Sequence, residues 1–315
     1  MGVWRHEGHV RQIAFPILRR LKAPGIAGGA LAAALCAASP AAAEINIQFQ
    51  ERGDVARMVS LGGSCNRCEL SGRDLTGAAF TGASFTNATL VGANLRGAEL
   101  VGSNFSGSDF SRANLSGAEL VGANFTGANF SNAEMAGVSA MGATLVRARM
   151  ERISATGGEF SGANMNGAIL TGGGFNGAEL SAATLANVSA RTANFSNAEL
   201  NVANLSNGDF RSASFRDAEL NGARLTGGRF DGANFTGAEL NRADIRGADL
   251  SGVRGLTQES VGRACGDANT RLPGGLTART CRGVGSIRIA PPAPPAPPAS
   301  PTPPRVRNFA VAGGN

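Results

Sequence analysis

The sequence predicts an all-β solenoid, and three regularities carry that prediction. From Leu70 to Leu250 every fifth residue is nearly always Leu or Phe, with Ala two positions before it, as in Ala93-Asn94-Leu95 and Ala123-Asn124-Phe125. This spacing matches neither the roughly 3.6-residue period of a helix nor the two-residue period of a strand. Glutamate recurs every twentieth residue, at Glu99, Glu119, Glu159, Glu179, Glu199, Glu219 and Glu239, with Ser139 filling the one gap. Finally, wherever Ala takes the fifth position, a β-branched residue stands two before it: Val138 with Ala140, Ile153 with Ala155, Val188 with Ala190. Large and small exchange within one repeat when both side chains fill the same interior volume, because voids and overpacking are both costly there.

The repeat runs in one phase through 37 centres, and the twenty-residue glutamate spacing makes four repeats one coil. About nine coils follow, and at ~4.8 Å between neighbouring hydrogen-bonded strands the stack should be about 45 Å long. No Pro interrupts the segment between Pro40 and Pro273, as expected of a backbone whose N–H groups pair coil to coil. Gly102, Gly122, Gly162 and Gly222 recur where the chain must turn a corner, which is turn chemistry and no sign of a ligand.

The A-x-L/F pattern, with Asn or Glu between, resembles the pentapeptide-repeat family and its A(D/N)LXX motif over about three-fifths of the chain. The resemblance implies a right-handed quadrilateral parallel β-helix, with the Ala and Leu/Phe positions facing inward and the other three outward. It also implies a function exercised through a surface, and in some members a DNA-like shape and charge that inhibits a DNA topoisomerase (gyrase).

The segments flanking the repeat have their own readings. Arg19, Arg20 and Lys22 precede a small-apolar run, and Ala41-x-Ala43 makes a cleavage site before Glu44, so residues 1–43 read as an export signal. Residues 44–67 read as an N-terminal cap, with a short alternating strand at Ile45–Phe49 and a brief helix from Val55 to Leu61. The solenoid is assigned to 68–253. Residues 254–283 form a C-terminal cap, in which Thr257 N-caps a helix running to about Ala264 and Leu256 and Val261 cover the last coil. Residues 284–315 are a proline-rich tail, disordered or extended as polyproline.

Export would place the four remaining cysteines in an oxidising compartment. Cys65 and Cys68 stand near the start of the repeat, and Cys265 and Cys281 follow it. A stack of that length allows no bridge across it, since bridged Cα atoms lie within about 7 Å, so each pair should close locally. The Cys65-x-x-Cys68 pair lacks the strand-then-helix setting of a thioredoxin-like site, and a zinc site there would need two further ligands. It reads as a structural clip.

Cleavage after Ala43 would remove Trp4, His6, His9 and Lys22, the only residues of those types in a chain that has no Tyr. The side chains usually recruited for acid–base or nucleophilic work would then be missing, so no enzyme and no cofactor is expected. Taking Arg5, Arg11, Arg19, Arg20, Lys22 and Glu7 from 29 basic and 23 acidic residues leaves 24 against 22, no footprint of nucleic-acid binding. Residues 68–253 hold 13 Arg and 17 acidic residues, a net of −4, weak for DNA mimicry.

The seven-glutamate ladder is the one constellation with a candidate role, as a face for a basic partner or cations; the alternative is a solvated face copied by duplication. The expected protein is therefore a periplasmic or secreted scaffold or binding module. Its partner would be a protein or an envelope glycan, with no nucleic acid and no membrane once the signal is gone. It would be a monomer or an end-to-end dimer. The alternative is the topoisomerase inhibitor.

Overall fold

The computed structural model describes residues 63–281. The export signal, the strand at Ile45–Phe49, the helix from Val55 to Leu61 and the proline-rich tail lie outside the described residues.

Each five-residue repeat makes one side of a coil: two turn residues, then an inward, an outward and a second inward residue. At Leu120–Ala123 the Ala123 N–H donates to the Leu120 carbonyl at 3.0 Å, and Gly122, third in the turn, has φ +64. This is the geometry of a type II turn, whose third residue must adopt positive φ. Glycine fills that position in most repeats, and Asn fills several of the others, such as Asn87 and Asn132.

The outward middle residue links the coils. Glu119 N–H donates to the Ala98 carbonyl at 2.9 Å, while its own carbonyl accepts from Leu100 N–H at 2.7 Å. The same parallel pairing recurs with a twenty-residue register from Ser64↔Ser84 to Asn234↔Arg254. The backbone groups of a rung are thereby satisfied by its neighbours, as burial inside a stack demands.

The interior is built as the repeat predicts. The Ala and Leu/Phe positions are buried, and so are the exchanged pairs Val138 with Ala140, Ile153 with Ala155 and Val188 with Ala190. Phenylalanines one coil apart stack: Phe85 on Phe105 at 5.1 Å, Phe110 on Phe130 at 4.9 Å, Phe195 on Phe215 at 5.2 Å. Between Phe130 and Phe160 the centres are Met135, Ala140, Leu145, Met150 and Ala155. The swapped repeats and the adaptable methionines thus fill the gap between two aromatic stacks.

The coil begins earlier than the boundary expected at 68. Ser64 already pairs with Ser84, and Cys65 N–H donates to the Ser84 carbonyl at 2.8 Å, so coil pairing begins inside the segment assigned to the N-terminal cap. Gly63 stands in an Ala position and Cys65 in a Leu/Phe position, which hid this repeat from a pattern of Ala and Leu. After Arg254 the chain leaves the coil for α1, Gln258–Arg263, and then rejoins it. Asp244 pairs with Cys265 and Asp249 with Arg271, registers of 21 and 22 residues, because the inserted helix and loop lengthen the path.

Helix α1 is short and held from outside. Thr257 and Ser260 form a reciprocal capping box, with Ser260 N–H donating to Thr257 Oγ1 at 3.2 Å and Thr257 N–H to Ser260 Oγ at 3.1 Å. Val261 is fully buried, and Leu256, Leu272 and Ala278 pack against the core. Beyond it β1, Cys265–Gly266, pairs in parallel with β2, Arg279–Thr280.

Candidate interaction face

The twenty-residue register brings the predicted glutamates onto one side of the coil. Glu99 pairs with Glu119, Glu119 with Ser139, Ser139 with Glu159, and the pairing continues through Glu179, Glu199 and Glu219 to Glu239. Six of the seven are exposed and Glu159 is half-buried. Carboxylates on directly opposed residues repel, so this column costs stability unless something offsets it.

Hydrogen bonds to neutral side chains offset part of the repulsion. Ser139 donates to Glu159 at 3.0 Å, Asn201 Nδ2 to Glu219 at 2.8 Å, and Asn221 Nδ2 to Glu239 at 3.0 Å. Among the described residues no ion pair reaches the ladder; Arg216 pairs with Asp217 at 3.0 Å, and Arg191 and Arg211 both pair with Asp209. Neither Arg216 nor Arg242, on the neighbouring sides, forms an ion pair with a ladder glutamate.

Sequence reasoning missed the asparagines beside the ladder, although their signal was present. Glu199-Leu200-Asn201, Glu219-Leu220-Asn221 and Glu239-Leu240-Asn241 repeat one tripeptide at the coil length, whereas the first two rungs read Glu99-Leu100-Val101 and Glu119-Leu120-Val121. Asn221 N–H donates to Asn201 Oδ1 and Asn241 N–H to Asn221 Oδ1, both at 3.1 Å, which makes a continuous amide column. It ends at the cap, where Arg263 donates to Asn241 at 3.4 Å and to Glu259 at 2.6 Å. An open cleft of about 190 Å³ lies there, lined by Glu239, Asn241, Thr257, Glu259 and Arg263 among others.

Near the C-terminal cap, three aspartates are held in their charged form. Hydrogen bonding to Arg246 holds Asp244 below the usual carboxylate range, the Ser251 hydroxyl does the same for Asp249, and the Gly247 N–H for Asp267. These groups are fixed in their charged form by turns and ion pairs, the opposite of a carboxyl tuned upward to donate a proton near neutrality.

The cysteines meet as the local pairing requires. Cys65 and Cys68 have Cα atoms 5.5 Å apart, and Cys265 and Cys281 4.6 Å apart, each pair with its sulfurs within bonding reach.

Coil, corner and column together define a β-solenoid repeat protein, whose outward side chains stand in ordered rows on each side. The sequence model of the family described as pentapeptide repeats matches in eight copies, over residues 64–100, 108–145, 133–172, 178–217 and 213–252. The chain belongs to the pentapeptide-repeat family, whose fold is the right-handed quadrilateral β-helix. It is similar to the crystal structure of HetL, a pentapeptide repeat protein involved in heterocyst differentiation regulation from the cyanobacterium Nostoc sp. strain PCC 7120. The two are 30% identical with a TM-score of 0.54, over 64% of this chain and 89% of HetL. QnrB1, a plasmid-mediated fluoroquinolone resistance protein, is 22% identical with a TM-score of 0.37, over 65% of this chain and 94% of its own. No curated protein matches the chain.

Proposed function

We propose that the protein is a non-enzymatic, exported scaffold or binding module of about nine coils that acts through the columns on its four sides. Cleavage after Ala43 delivers it to the periplasm or the exterior, where Cys65–Cys68 and Cys265–Cys281 close as disulfides. The partner is an envelope or extracellular protein or glycan. The observation that carries this reading is the unbroken twenty-residue register, which turns a repeated glutamate into a row of seven carboxylates without an ion-pair partner among the described residues. A rigid row of like charges is suited to a partner with complementary groups at matching intervals. The likeness to HetL, a protein involved in regulation, supports action through contact.

The test replaces alternate rungs, Glu119→Gln, Glu159→Gln, Glu199→Gln and Glu239→Gln, which removes charge and keeps shape. A photo-crosslinker at Ser181, beside the ladder, then reports contacts in the envelope fraction. Loss of the parent protein's cross-links in the folded variant is expected. An identical cross-link pattern would exclude the ladder as the interaction face.

A further inference from the structure

The C-terminal cap gathers three metal-ligating side chains that the ladder does not use. Asp244 stands on the last regular rung of its column, Cys265 pairs with it across the lengthened register, and Cys281 follows β2. One ligand atom from each, a carboxylate oxygen and two sulfurs, lie within 4.8 Å of one another, and Cys281 Sγ is 3.8 Å from Asp244 Oδ1; the two sulfurs are joined as a disulfide here and must part to take separate ligand positions. A tetrahedral zinc ion, with bonds of about 2.3 Å to sulfur and about 2.0 Å to oxygen, separates its ligand atoms by roughly 3.5–3.8 Å.

The surroundings hold these groups in place. Cys281 N–H donates to the Gly266 carbonyl at 3.0 Å, and Cys265 N–H to the Ala243 carbonyl at 2.9 Å. Arg246 donates to both oxygens of Asp244, at 2.9 and 2.6 Å, and so orients the carboxylate. Two thiolates, one carboxylate and a divalent cation sum to −1 by formal charge, which the Arg246 guanidinium neutralises. A half-buried site with balanced charge and a soft–hard donor set suits zinc better than calcium or magnesium, which take oxygen ligands.

We propose that in the thiol form Cys265 and Cys281, with Asp244, bind one zinc ion per chain and leave one coordination position to water. A dithiol reductant supplies two electrons and two protons, so the Cys265–Cys281 bond becomes two thiols while the reductant becomes a disulfide. Metal binding then releases both thiol protons. The cap is thus fastened by a disulfide in an oxidising compartment and by a metal in a reducing one, so the inference is independent of where the chain is delivered.

The experiment uses the full chain with Cys36→Ser, Cys65→Ser and Cys68→Ser, reduced with a phosphine that is then removed without oxygen. Cobalt(II) is the optical probe and zinc its competitor. The expected result is a thiolate-to-cobalt charge-transfer band that saturates at one ion per chain, is absent from the oxidised chain and is displaced by zinc. Asp244→Asn should weaken zinc binding about tenfold or more. Arg246→Gln keeps all three ligands and should lower the affinity while leaving the charge-transfer band and the stoichiometry of one ion per chain intact. A reduced chain without the band, or an Asp244→Asn variant that binds zinc as tightly as the parent, would overturn the proposal.

Discussion

Asn201 Nδ2 donates to Glu219 Oε2 at 2.8 Å from the neighbouring coil, so the ladder is braced by amides where a charge-based reading expects arginine. A neutral donor satisfies an oxygen but leaves the carboxylate charge, and the column repulsion with it, in place. Glu199, stacked between Glu179 and Glu219, should therefore be more stable as Gln. Glu199→Gln is expected to raise the melting temperature at low salt, by a few tenths of a kcal/mol, and the gain should vanish at molar salt, where charges are screened. Thermal unfolding at two ionic strengths checks this.

Val202 occupies a turn position that carries alanine in the preceding coil, at Ala182, and glycine in the next, at Gly222. Its φ is +60 and its side chain is 69% exposed, so a β-branched residue adopts a left-handed conformation with no burial to offset it. Val202→Gly should stabilise the protein by about 1 kcal/mol, a rise of roughly 2–4 °C in a fold of this size.

Gly208 stands in the inward position that Ala occupies in most repeats. A Cβ there would strike the ring of Phe210, as it would at Gly158, only 2.8 Å from the Phe160 ring. Phe210 is fully buried and stacked on Phe230 at 5.2 Å, so it cannot swing aside cheaply. Gly208→Ala should cost about 1–3 kcal/mol. Adding Phe210→Leu restores the commoner Ala-x-Leu pair and should recover part of that loss, which a double-mutant cycle by denaturant unfolding would measure.

Acid should loosen the C-terminal cap first. Asp249 accepts from Ser251 Oγ at 2.7 Å and from its N–H at 3.2 Å, lies 3.6 Å from Arg271, and is held below the usual carboxylate range chiefly by the Ser251 hydroxyl. Because the folded pKa is the lower one, the stabilisation is present above the unfolded value and disappears as pH falls through the folded value. Melting temperature should drop with decreasing pH below about 4, and Asp249→Asn should flatten that slope.

The repeat, the coil length and the interior were legible because each rests on a period that one strand of text displays. The exchange at Val188 and Ala190 even revealed which positions face inward. The ends were harder to read. Gly63 and Cys65 replace the expected Ala and Leu, so the pattern stops short of the first pairing at Ser64. The register shift to Cys265 and Arg271 depends on how much chain α1 takes up, which periodicity cannot supply. The ladder itself was visible, but its bracing by Asn201 and Asn221 required knowing that a corner residue reaches the rung of the next coil.

The proposed role rests on export, and the mature N-terminus tests it most directly. Expressing the full-length gene in a bacterial host, separating periplasm, medium and cytoplasm, and weighing the intact protein by mass spectrometry gives both location and cleavage point. A periplasmic or secreted form beginning at Glu44, with its mature cysteines oxidised, is the expected result. An uncleaved cytoplasmic protein with free thiols would contradict the exported scaffold and return His6, His9 and Lys22 to the working molecule.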